Sequence, residues 1–247
     1  MIAALALSAS SPAVAGSLAF NDPDTGLRID APMGKAAVCF LKPVELGSPE
    51  GCEGLDVGAI ATRVPARASF LTLIRQEDWT FSIALMNQPK PAGRMSREQA
   101  REYIRGAKHA AAGFTFESDE PHFEVINGLP VFSYAAVSSN REGFDAMLQY
   151  VVPGDQSIST FNFASDSEHL PVMKRLAREF MNGVSRPGLA SAGSWVEGVQ
   201  APDRYYEMGR AFGALIGNLV VLGLICAGAV LIYRSFRRRG RKAPPGP

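Results

Sequence analysis

The stretch Ala211–Tyr233, AFGALIGNLVVLGLICAGAVLIY, runs for 23 residues without a charge, and Asn218 is its only strongly polar member. A helix rising ~1.5 Å per residue needs about 20 such residues to cross a hydrocarbon core of ~30 Å. Arg234, Arg237, Arg238, Arg239, Arg241 and Lys242 follow it, with no acid after Tyr233. On the other flank Arg210 is offset by Glu207. Basic residues concentrate on the cytoplasmic side of a membrane helix. The expectation is a single-pass protein of the plasma (inner) membrane, with its N-terminal body outside and its C-terminus cytoplasmic. Tyr205 and Tyr206, just before the helix, fall where an interfacial aromatic belt would sit, and Trp195 lies further off.

The start of the chain agrees. Met1–Ala15 is apolar, rich in small residues and ends Ala13-Val14-Ala15, the pattern a signal peptidase accepts. No Lys or Arg precedes the apolar part, so the signal is atypical or begins upstream. The expected organisation is a signal peptide over 1–15 and an extracytoplasmic domain over 16–187. A juxtamembrane stalk over 188–207, a transmembrane helix over 208–233 and a basic tail over 234–247 follow. The six tail cations removed from 25 leave 19 bases against 24 acids in residues 1–233, about −5. An acidic body of this kind excludes nucleic acid as a partner, because phosphate binding needs clustered Lys and Arg.

Cys39 and Cys52 lie in the exported body and bracket a Gly- and Pro-containing loop. In an oxidising compartment they read as a disulfide, worth roughly 3 kcal/mol for a loop of ~14 residues. Two unpaired thiols are the alternative. Cys226 reads as a small apolar residue of the membrane helix.

Along the body, turn residues and period-two alternation predict strands over Leu18–Pro32 (a pair), Val38–Leu46, Ser69–Ile74, Trp79–Met86, Phe114–Glu117, His122–Ile126, Leu129–Val137, Phe144–Val152 and Ser157–Phe163. Asn127-Gly128 is a hairpin signal, since a type I′ turn needs positive φ at both positions. Ser96 with Gln99 reads as a capping box, and Ala100, Tyr103, Ile104, Ala107 and Ala111 as the apolar stripe of a helix ending near Gly113. A second helix is expected from about Glu168 to Asn182, with Asp166 and Ser167 as N-caps. Runs of hairpins between two helices predict an α+β domain, mainly antiparallel, with helices on one or both faces.

Several of these segments resemble the PsbP-like fold. They are Thr25-Gly26-Leu27-Arg28-Ile29-Asp30-Ala31-Pro32, Ile126-Asn127-Gly128-Leu129-Pro130-Val131, Gln149-Tyr150-Val151-Val152-Pro153-Gly154-Asp155 and Phe161-Asn162-Phe163-Ala164. The resemblance covers about residues 17–185. The chain lacks that family's Trp shortly after the opening Pro, and its Cys39–Cys52 loop reads as an insertion. The resemblance implies a non-enzymatic accessory, assembly or binding role.

No catalytic, cofactor or metal constellation is expected. His109 reads as a solvent-facing helix residue and His122 as a half-exposed strand residue. His169 follows Asp166 and Glu168, where acids at a helix start are the simpler reading than a metal site. Asp22-Pro23-Asp24-Thr25-Gly26 reads as a turn, since no Glu completes a calcium loop at its twelfth position. The sharpest motif is Gly209, Gly213 and Gly217 at four-residue spacing, with Asn218 beside it. A glycine ridge lets helices approach closely, so these residues are expected to form a membrane-helix interface with a second copy or a partner membrane protein. The expected function is that of a membrane-anchored extracytoplasmic binding or accessory protein without catalysis or cofactor. An envelope hydrolase assembled only in the fold is the alternative, and a surface-sorted protein is a third reading.

Overall fold

A computed structural model describes residues 16–34, 37–42, 52, 68–75, 79–111, 113–139, 144–187 and 204–214. Among the described residues there are eleven strands: β1 (Gly16–Asn21), β2 (Arg28–Gly34), β3 (Ala37–Lys42), β4 (Ala68–Arg75), β5 (Thr80–Pro89), β6 (Phe114–Phe116), β7 (His122–Ile126), β8 (Leu129–Ser138), β9 (Ala146–Pro153), β10 (Ser157–Ser165) and β11 (Val184–Ser185). Helix α1 is Arg97–Ala110, helix α2 is Leu170–Asn182, and helix α3 covers 204–214.

The strands form an antiparallel sheet in the order β3-β4-β5-β10-β9-β8-β6, with β7 also paired to β8. A small sheet of order β1-β2-β11 lies apart. The α+β architecture read from the sequence is therefore present. Side chains alternate across the large sheet because successive strand residues point to opposite faces. Phe81, Ile83 and Leu85 of β5, Leu148 and Val152 of β9, and Phe161 and Phe163 of β10 share one buried cluster. Met173, Ala177 and Phe180 of α2 and Leu18 and Ile29 of the small sheet complete that cluster. Met86, Met147, Val151, Phe132 and Ala136 point the other way, into a second cluster with Ala100, Tyr103 and Ile104 of α1 and Tyr205 and Phe212 of α3. Both faces of the sheet are covered, so residues of both parities along its central strands β9 and β10 are buried.

The expected local signals operate. Ser96 accepts from the Gln99 backbone N–H while the Gln99 side chain accepts from Ser96 N–H, a complete capping box. Asn127 and Gly128 take φ of 50° and 76°. The Asn127 amide also donates to the carbonyls of Asn182 and Val184, tying the hairpin to the end of α2. One cap differs from expectation. Asp166 makes no cap to α2; its Oδ1 accepts the Phe144 N–H at 2.8 Å, and a short 3-10 turn, Ser167–His169, precedes the helix.

Beneath α1 a polar row crosses three strands in register. Tyr134 donates to Gln149 Oε1, and Gln149 Nε2 donates to Asn162 Oδ1 at 3.1 Å. Gln149 and Asn162 are buried, so these bonds satisfy groups that water does not reach. Burial raises the Tyr103 and Tyr134 phenols far above their ordinary range. The folded state therefore keeps both neutral where the unfolded chain ionises them, so stability present below pH ~10 is lost as pH rises above it. We expect Tyr103 and Tyr134 to contribute no phenolate absorbance until the chain unfolds. A tyrosine absorbance titration beside circular dichroism checks this; phenolate formation by all six tyrosines before unfolding would refute it.

Candidate functional site

The densest functional geometry lies where α3 meets α1. Tyr205, Gly209, Phe212 and Gly213 of α3 are buried, while Arg204, Glu207, Arg210, Ala211 and Ala214 are exposed. That spacing of four, three and one is a helical stripe, and it faces α1. Gly209 lies on the Tyr103 backbone, where an added Cβ would come within 3.0 Å of Tyr103 Cα and overlap its carbonyl oxygen. Gly213 lies in the same way on Ala107, where an added Cβ would come 3.0 Å from its Cα. From the other side Gly106 lies on the Tyr206 carbonyl, with Arg210 N 2.8 Å from an added Cβ. Three glycines thus bring two backbones into direct contact. A step from Tyr103 to Ala107 matches a step from Gly209 to Gly213, so the two helices run parallel.

Side chains close the edges of this seam. The Tyr103 and Phe212 rings lie 6.0 Å apart. The His109 ring and the Tyr206 hydroxyl share a hydrogen bond, and Arg105 lies 5.3 Å above the Tyr206 ring. Gln88 at the end of β5 donates to the Met208 carbonyl at 3.2 Å.

The sequence-derived site residues separate accordingly. Gly209 and Gly213 were expected to meet a partner membrane helix; the structure places both against α1 of the same chain. The reason is Gly106, which opens α1 to backbone approach. A glycine inside a strongly periodic helix costs about 1 kcal/mol relative to alanine, and that cost was the available sequence signal for it. Tyr205 faces the domain core rather than a lipid belt, and residues 204–207, read as the end of a stalk, are the first turn of the docked helix. Gly217, Asn218, Arg234, Arg237, Arg238, Arg239, Arg241 and Lys242 lie outside the described residues, as do 1–15 and 188–203. Among the described residues no helix is long and apolar enough to cross a membrane. Cys39 and Cys52 are disulfide-bonded, pinning residue 52 to β3 beside Leu41, Leu71 and Leu73.

Two polar clusters lie elsewhere. At the β9–β10 turn, the buried Lys90 ammonium donates to the carbonyls of Pro91, Gly93 and Asp155. Burial lowers its pKa, and Asp155 partly opposes this. Arg186 sits over Gly154 with Nε and Nη2 buried and without hydrogen-bond partners; burial lowers its pKa against the opposing pull of Asp155 and Asp22. The Asp22 turn is closed locally, its carboxylate accepting from Thr25 and from Asn87 Nδ2. At the opposite end of the sheet, Asp166, Glu168 and His169 each offer a ligand atom within 4.8 Å of the others. The His169 ring stacks on Trp79 with centroids 4.9 Å apart, and Asp166 is already engaged by Phe144. His122 is exposed on β7, and His109 is spent on Tyr206.

No protein-family model matches the chain. No curated protein matches it either. Among solved structures it is similar to LpqN of Mycobacterium tuberculosis, described as involved in cell envelope biogenesis, at 12% identity and TM-score 0.45, over 70% of this chain and 91% of that one. It is also similar to the cyanobacterial PsbP (CyanoP) of Synechocystis sp. PCC 6803, at 10% identity and TM-score 0.44, over 73% of this chain and 98% of that one. The second belongs to the family whose motifs the sequence resembles, and neither likeness extends to function.

The seam generates a direct test. Gly209→Ala forces a Cβ into the Tyr103 backbone, and overpacking of this kind costs ~1–3 kcal/mol. A fall in Tm of several degrees is expected on that scale. Ala211→Leu, on the exposed side of α3, leaves Tm within about a degree. Equal Tm values for Gly209→Ala and wild type would show that the two helices do not touch there.

Proposed function

We propose that the chain is an anchored extracytoplasmic accessory protein, whose domain binds another envelope component and performs no covalent chemistry. The Cys39–Cys52 disulfide carries this reading, because such bonds persist where the environment oxidises thiols and are rare in the cytosol. Residues 215–233 of the uncharged run and the six cations after Tyr233 supply the anchor and its orientation. Asp22 and Lys90 are engaged in holding the fold, Asp22 in its turn and Lys90 on three carbonyls, while the His169 ring stacks on Trp79 with no hydrogen bond to its buried Nδ1. The hydrolase alternative asks for a His beside an acid, and among the described residues His169 lies with Asp166 and Glu168. Association with a second copy does not extend to Gly209 and Gly213, whose faces α1 occupies.

Membrane topology is the first test. In intact cells expressing the chain, an impermeant maleimide is expected to label Gln156→Cys, while Arg241→Cys reacts only after permeabilisation. The protein is expected to stay in membranes after alkaline carbonate extraction. Release by carbonate, or labelling of Arg241→Cys in intact cells, would contradict the proposal.

A further inference from the structure

We infer that the domain is seated directly on the outer surface of the bilayer, by the end of the sheet where α1 finishes and β6 begins. This rests on the anchored reading above and adds to it a fixed orientation and a named contact surface. A free stalk would leave both undefined.

Residues 211–214 belong to the uncharged run, yet they are part of α3, with Phe212 and Gly213 buried in the domain. The rest of the run, residues 215–233, numbers 19. As a helix these would extend about 28 Å at ~1.5 Å per residue, against a hydrocarbon core of ~30 Å. Crossing takes ~17–25 residues, so at most about two are left for a linker between the docked helix and the lipid.

Because α3 runs parallel to α1, its last described residue lies beside the end of α1, which finishes at Ala110. The chain then enters β6 at Phe114, opposite Ser138. The next strands place Ala146 opposite Val137, and Ser165 opposite Ala146. Residue 214 therefore lies toward the end of the sheet marked by Phe114, Ser138, Ala146 and Ser165, and an anchor continuing from it would leave the domain there. The Asn127-Gly128 hairpin and the β9–β10 turn are at the far end. Trp79, half-buried just before β5, is at the near end, and indoles favour the headgroup level.

The seam is held by backbone contact at three glycines and by the burial of Tyr205 and Phe212. It fixes residues 205–213 to the domain, so the domain can reorient against the lipid only by bending after residue 214.

The full chain, with Cys226→Ala to remove its free thiol, is reconstituted in phosphatidylcholine–phosphatidylglycerol vesicles. A fluorophore is placed at Thr115→Cys in one sample and at Gln156→Cys in another. Both sites are exposed, and they lie about 25–30 Å apart along the strands. The quencher is a nickel-chelating lipid headgroup. Quenching at Thr115→Cys is expected to be at least twofold stronger than at Gln156→Cys. In a Gly209→Leu, Gly213→Leu background the difference is expected to collapse. Equal quenching at both sites in the unaltered seam, or stronger quenching at Gln156→Cys, would overturn the inference while leaving the anchor intact. A chain that does not float with the vesicles would overturn the anchored reading and this one together. The comparison of the two sites stands even if the double leucine variant fails to fold.

Discussion

Backbone contact between α1 and α3 is the constraint on which the second half of the core depends. Gly106, Gly209 and Gly213 remove the three side chains that would hold the helices apart. Once the backbones touch, Tyr205 and Phe212 reach the cluster formed by Tyr103, Phe132 and Met147. That closure helps keep water from Tyr103 and from the Tyr134–Gln149–Asn162 row. A buried polar row stabilises only when its members are satisfied and dry. The contact thus joins two properties that look separate, a polar ladder in the sheet and a helix near the C-terminus.

The other face is held by different means. There α2 packs Met173, Ala177 and Phe180 on Phe161 and Phe163, and the small sheet closes the side through Leu18 and Ile29. No backbone contact between helices is needed. Lys174 and Arg178 of α2 pair with Glu117 and Glu124, while Arg101 and Lys108 of α1 pair with Glu120 and Asp119. The β6–β7 region is thereby tied to a helix on each face. These exposed pairs are worth little individually and serve mainly to set its place.

Most of the sheet was legible because period-two alternation and turn chemistry act locally. Asn127-Gly128, Ser96 with Gln99, and the α1 stripe each required no knowledge of distant residues. Three features were not legible, and each is tertiary. The glycine spacing at 209 and 213 announced a close helix contact but not which helix would fill it; the answer lay in Gly106, a hundred residues earlier. Asp166 had the right position to cap α2, yet the Phe144 N–H competed successfully for its carboxylate. The pairing of β11 with β2 involves two residues and has no periodicity to detect. For the candidate site the glycines were found and their partner was missed.

With the seam in place, the chain near residue 204 is no longer a tether. Helix α3 is a structural part of the folded domain. Hydrogen exchange on the full chain in a bilayer measures this most directly, because amide protection reports local opening. The account expects amides of residues 205–214 to exchange as slowly as those of α1, and both to speed up together in Gly106→Leu. Rapid exchange across 205–214 while α1 stays protected would contradict it.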